Sequence, residues 1–126
     1  MTEQLTFRFT LVLGGVVRFP TDQWTDLENG LHPAGCDDAT LSISCGVIYL
    51  DFDRQAESAL AAVTSALADA GKVATVDYVS FASPARITTF YERKIARDMT
   101  AILTDPEATE DEKRMALTTI IDATLS

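Results

Sequence analysis

Nine consecutive residues near the start of the chain follow one simple rule. Leu5, Phe7, Phe9, Leu11 and Leu13 are apolar, Thr6, Arg8 and Thr10 separate them, and Val12 is the single exception. A side-chain period of two belongs to a β-strand with one face in a core and one face open. A strand of this kind needs partners, and the rest of the sequence can be searched for them.

Gly14-Gly15 ends the alternation, and Pro20-Thr21-Asp22 has the composition of a helix start. Trp24, Leu27 and Leu31 then share one helical face, and Pro33 and Gly35 stop the helix. Leu41 and Ile43 alternate with Ser42 and Ser44, Cys45-Gly46 supplies a tight turn, and Val47 to Phe52 returns as an antiparallel partner. Asp53 is placed as the cap of a second helix. Its apolar stripe is Ala56, Ala59, Leu60, Val63, Ala66, Leu67 and Ala70, with Gly71 as the residue just past its end. Val73 to Phe81 is β-branched and aromatic and reads as a fourth strand.

The order β-α-β-β-α-β predicts an α+β fold of ferredoxin-like type, an antiparallel four-stranded sheet with two helices on one face. The other sheet face would then carry Thr6, Arg8, Thr10, Ser42 and Ser44, with Tyr49 and Tyr78 joining it in one choice of register. After Ser83-Pro84 the pattern turns purely helical. Tyr91, Ile95, Met99 and Ile102 line one helix, Asp105-Pro106 breaks it, and Thr109 with Glu112 makes a capping box. Met115, Leu117, Ile120, Ile121 and Leu125 give the next helix a broad apolar face. The expected organisation is an α/β domain over 1–83 and a C-terminal αα-hairpin over 84–126.

Charge narrows the partners. The chain has 19 acidic and 10 basic residues, a net charge of −9. The excess lies mainly before Phe81, so that part repels phosphate backbones and anionic lipid surfaces. No apolar run reaches the ~18 residues of a membrane span. The opening Met1-Thr2-Glu3-Gln4 has neither the basic nor the apolar region of a secretory leader. A cytoplasmic address is therefore expected. Cys36 and Cys45 stand at either end of an extended stretch, too far apart for a disulfide, and are expected to be thiols.

Candidate chemistry is sparse. His32 is the sole histidine, and the Pro33 and Gly35 breaks separate it from Cys36. A nucleophile, base and orienting acid do not line up around it. Asp37 and Asp38 precede one strand of the hairpin, and Asp51 and Asp53 end the other, so all four acids come to the same end. Carboxylates in that number suit Mg²⁺ or Ca²⁺, but a turn at Asp37-Asp38 and a cap at Asp53 explain them without metal. Gly14-Gly15 lacks the Gly-Lys-Ser/Thr of a phosphate loop, and Arg18 has no second signature residue to make an anion cradle. Arg86, Arg93, Lys94 and Arg97 form a basic cluster, interleaved with Glu92 and Asp98. That pattern is a solvated helix face rather than a nucleic-acid surface. No cofactor and no catalytic residue is assigned.

The stretches FRFTLVLGGV, AGCDDATLS and GVIYLDFDRQAES, within Phe7 to Val79, resemble a family of small uncharacterised bacterial proteins. In that family the α/β domain often precedes a helix-turn-helix segment. The resemblance implies a regulator linked to DNA, or an antitoxin-like protein. Residues 84–126 depart from it. The inter-helix turn is Thr104-Asp105-Pro106-Glu107-Ala108, and the next helix opens with Glu110-Asp111-Glu112, acids that oppose groove contact.

The sequence thus points to a non-enzymatic interaction or regulatory protein. Its hairpin would bind a protein partner or a second copy through Tyr91, Ile95, Met99, Ile102, Met115, Leu117, Ile120 and Ile121. A small-molecule-sensing domain that acts as a dimer is the alternative.

Overall fold

The computed structural model of the chain describes residues 5–13, 21–44, 47–81 and 90–125. The period-two segment is strand β1 (Leu5–Leu13). Its odd-numbered residues lie opposite even-numbered ones of β3 (Val47–Ala56): Phe9 opposite Phe52, Leu11 opposite Leu50, and Leu13 opposite Ile48. On its other side β1 pairs with β4 (Val76–Ser80), placing Leu11 opposite Val79. β2 (Ala39–Ser44) completes the sheet against β3. All three pairings are antiparallel and the strand order is β2-β3-β1-β4.

Among the described residues four helices accompany this sheet in an α+β fold: α1 (Thr21–Ala34), α2 (Ala59–Gly71), α3 (Phe90–Thr104) and α4 (Glu110–Leu125). The alanine-rich stripe of α2 lets its axis approach the strands closely. Ala62, Val63, Ala66, Leu67 and Ala70 are all buried against Phe9, Leu11, Leu50 and Phe52. Each large side chain taken out of water here contributes about 1.5–3 kcal/mol, and Phe9 stacks on Phe52 at 5.3 Å between ring centroids. α1 adds Leu31 to this core, with Leu27 partly buried beside it; α4 adds Ala116, Leu117 and Ile120, and α3 adds Leu103. One continuous core therefore runs from the sheet into the helical hairpin.

Several boundaries differ from the sequence expectation. Asp53 and Ala56 remain in β3, and the cap of α2 is Ser58, whose hydroxyl accepts a bond from the Ala61 amide at 3.1 Å. The strand outlasts its apolar run because its last residues still pair with β1 as far as Leu5 opposite Ala56. Gly71 is the final residue of α2 rather than the one past it. Pro33 sits inside α1, and Gly35, at φ +103°, is what turns the chain. The capping box is realised on one side, with Thr109 Oγ1 accepting from the Glu112 amide.

Gly14-Gly15, Arg18, Cys45-Gly46 and Arg86 lie outside the described residues, as do the side chains of Trp24 and Leu125. No helix among the described residues is long and apolar enough to cross a membrane.

Candidate functional site

Continuing the period of β3 past Phe52 puts Arg54 on the core face. A charge there must be met by the surrounding chain. Its side chain is 9% exposed and uses every N–H it has. Nε donates to Asp38 Oδ2 at 2.8 Å and Nη2 to Asp38 Oδ1 at 3.0 Å. Nη1 donates to Asp69 Oδ2 at 3.0 Å and to Ser65 Oγ at 3.1 Å, and Nη2 reaches the Gly35 carbonyl at 2.6 Å. The guanidinium also lies 5.0 Å from the Phe52 ring centroid. The hydrogen bonds to Asp38 push its pKa up while burial pulls it down; the group stays charged. Arg54 thus clamps β3, α2 and the α1–β2 turn to one another.

The four acids singled out from sequence do share one end of the β2–β3 hairpin, but they do not converge. Both Asp38 oxygens are taken by Arg54. Asp53 pairs with Arg8 across the strand at 2.8 Å, which raises the Arg8 pKa through that hydrogen bond. Asp51 accepts from Thr10 at 2.5 Å. Asp37 is exposed. Asp51 and Asp53 alternate onto the sheet face opposite Arg54, which separates them from Asp38's carboxylate. An open depression of about 620 Å³ is lined by Asp37, Asp38, Asp53, Arg54 and Ser65 among others. Among the described residues no three His, Cys, Asp or Glu side chains stand close enough to hold a metal ion.

The sheet's two outer edges are treated differently. Along β4, the Val79 amide donates to Thr100 Oγ1 at 3.1 Å, and the Phe81 amide to Thr124 Oγ1 at 2.9 Å. Each hydroxyl in turn donates a hydrogen bond to the carbonyl four residues back, Ala96 or Ile120, at 2.7 Å. Threonines of α3 and α4 therefore close the edge that a further strand would need. Arg97 strengthens the seam with two bonds to Asp77, at 2.8 and 2.9 Å.

Along β2 nothing comparable occurs among the described residues. The Asp53 amide donates to the Asp38 carbonyl, and bonded pairs alternate along an antiparallel ladder. Thr40–Asp51 and Ser42–Tyr49 are therefore the inward-bonded pairs, and Leu41 and Ile43 turn their N–H and C=O groups outward. No described residue bonds to those outward groups. The strand from Ala39 to Ser44 carries no charge and no proline.

The hairpin residues expected to face a partner divide sharply. Ile120 is 0% exposed and Leu117 is buried, both inside the chain's own core. Met99, Ile102 and Ile121 pack against that core, and Ile95 is half-buried. Tyr91 and Met115 are 72% and 73% exposed. In the basic cluster, Lys94 pairs with Asp98 at 3.5 Å and Arg97 with Asp77, while Arg93 Nε finds no hydrogen-bond partner among the described residues.

Sequence reasoning passed over Arg54 and the threonine caps. Arg54 had a usable signal, since even-numbered positions of β3 face the core and a cation there demands anions. Thr100 and Thr124 had none, because a helical threonine back-bonding to its own helix looks the same whether or not a strand edge lies beyond it. No family model, curated protein or solved structure matches the chain.

Proposed function

We propose that this protein is a non-enzymatic interaction module, of the regulatory or adaptor kind, that holds a second polypeptide by strand addition along β2. The observation that carries the reading is the contrast between the edges. Two buried threonines close β4, whereas β2 is uncharged and, among the described residues, its outward groups have no partner. Exposed edges are ordinarily blunted by lysine, proline or a bulge, and strand addition is the recognition mode such an edge serves.

The sheet is read as ferredoxin-like, with β1 and β3 at its centre, the flanking strands β2 and β4 outside them, and α1 beside α2. α3 and α4 are then an addition at the β4 edge. This arrangement moves the proposed contact away from the hairpin, whose inner apolar residues serve the chain's own core, to the opposite side of the sheet.

The test is amide-resolved NMR of isotope-labelled protein in lysate of its own host. Partner binding is expected to slow exchange at the Leu41 and Ile43 amides and leave Thr40 and Ser42 as they are. Unprotected Leu41 and Ile43 amides in lysate would sink the reading.

A further inference from the structure

We infer that the occupant of the β2 edge is a second copy of this chain, paired antiparallel about a two-fold axis at Ser42; this rests on the reading of β2 as an interaction edge. The outward groups belong to Leu41 and Ile43, and two antiparallel copies satisfy them in one register. Leu41 of one copy meets Ile43 of the other and each pair exchanges both backbone bonds, so all of these groups are used. Ser42 faces Ser42 across the axis.

The side chains agree with this register. Opposed residues of an antiparallel pair share a face, so Leu41 and Ile43, which pack against the core, meet each other on the helix-covered side. Thr40 lies on the other side of the sheet, away from the core.

Charge selects the direction. Asp37 and Asp38 stand just before β2, and a parallel pairing would set each acid beside its own copy. The antiparallel register shifts Asp37 by about ten positions from its counterpart, roughly 33 Å along the strands. With β4 closed by Thr100 and Thr124, the described strands leave the extended sheet no second edge to recruit a third copy. The assembly is therefore a closed dimer rather than a fibre.

The experiment is sedimentation of the purified full chain over a concentration series, with Ser42→Lys and Ser42→Glu variants. Wild type is expected to show a monomer–dimer equilibrium. Each variant alone is expected to be monomeric, because the two-fold brings identical charges together at the ~4.5 Å Cα spacing of a non-bonded pair. Mixing the two variants restores dimers. Hydrogen exchange needs no variant: at Leu41 and Ile43 it should slow as wild-type concentration rises.

A wild-type monomer at every concentration, or a dimer that both variants preserve, overturns the inference. A purified monomer whose Leu41 and Ile43 amides are nevertheless protected in host lysate removes the second copy but leaves strand addition standing. Absence of protection in both settings removes both.

Discussion

Arg54 and Asp38 meet through two parallel bonds, Nε to Oδ2 and Nη2 to Oδ1, at 2.8 and 3.0 Å. The fork geometry fixes the orientation of the turn before β2 as well as its distance from β3. Asp69 holds the other side of the same guanidinium at 3.0 Å, so three elements depend on one cation.

Replacing Arg54 by Met is expected to destabilise the fold by about 3 kcal/mol. This is the low end of the range for breaking a buried ion pair, because Asp38 and Asp69 keep about a quarter of their side chains in solvent. Arg54→Lys should recover little, since an ammonium cannot reproduce the fork. Urea unfolding measures both, and a Lys variant as stable as wild type would remove the geometric part of the argument.

Gly35→Ala should lose about 1–3 kcal/mol. Gly35 has φ +103°, and an added Cβ would sit 2.8 Å from Asp69 Oδ2, inside the Arg54 network. Thermal unfolding of the variant, alone and combined with Asp69→Ala, separates backbone strain from the clash. Strain alone predicts the same loss from Gly35→Ala in both backgrounds.

Thr100→Val and Thr124→Val keep the side-chain shape and leave the Val79 and Phe81 amides without acceptors. Each is expected to lose about 1–3 kcal/mol. Thr119 makes the same back-bond to the carbonyl four residues earlier, at 2.8 Å, but is exposed. Thr119→Val should therefore stay within about 0.5 kcal/mol of wild type. Equal effects at all three positions, read by chemical denaturation, would mean that the helix and not the strand edge uses these hydroxyls.

Cys36 gives a pH signature. Burial pushes its thiol pKa above the usual value, with Asp69 and Asp38 adding to the rise and Arg54 opposing it. Below about pH 7.5 the thiol is neutral in folded and unfolded chains, and its contribution is fully present. As pH climbs further the unfolded chain ionises first, so that contribution is lost as pH rises through the folded-state value. Unfolding free energy should fall more steeply above pH 9 in wild type than in Cys36→Ala, by at most about 1.4 kcal/mol per pH unit. Parallel pH curves for the two proteins would refute this.

Much of the sheet was legible because its signals are local. Alternation in β1, the spacing of Leu41 and Ile43, and the alanine stripe of α2 each report a face without reference to distant residues. The end of β3 was misread for the same reason. Asp53 looks like a helix cap in isolation, but its pairing with Arg8, 45 residues away in sequence, and its amide bond to the Asp38 carbonyl keep it in the strand. The acidic cluster was placed at the right end of the hairpin, but which carboxylates converge depends on strand alternation and on the cations opposite. The hairpin's apolar face was read as a surface for a partner or a second copy. That Leu117 and Ile120 instead enter the chain's own core depends on long-range packing that no local pattern encodes.

The threonine seam also has a consequence for synthesis. β4 leaves the ribosome before α3 and α4, so its outer amides have no acceptor until Thr100 and then Thr124 follow. At about 5–20 residues per second that interval lasts a few seconds, during which the β4 edge of the nascent sheet stays open. Crowded polysomes, where neighbouring copies emerge side by side, are where such a chain is most exposed to mispairing. Yield should then depend on how fast α3 and α4 are made.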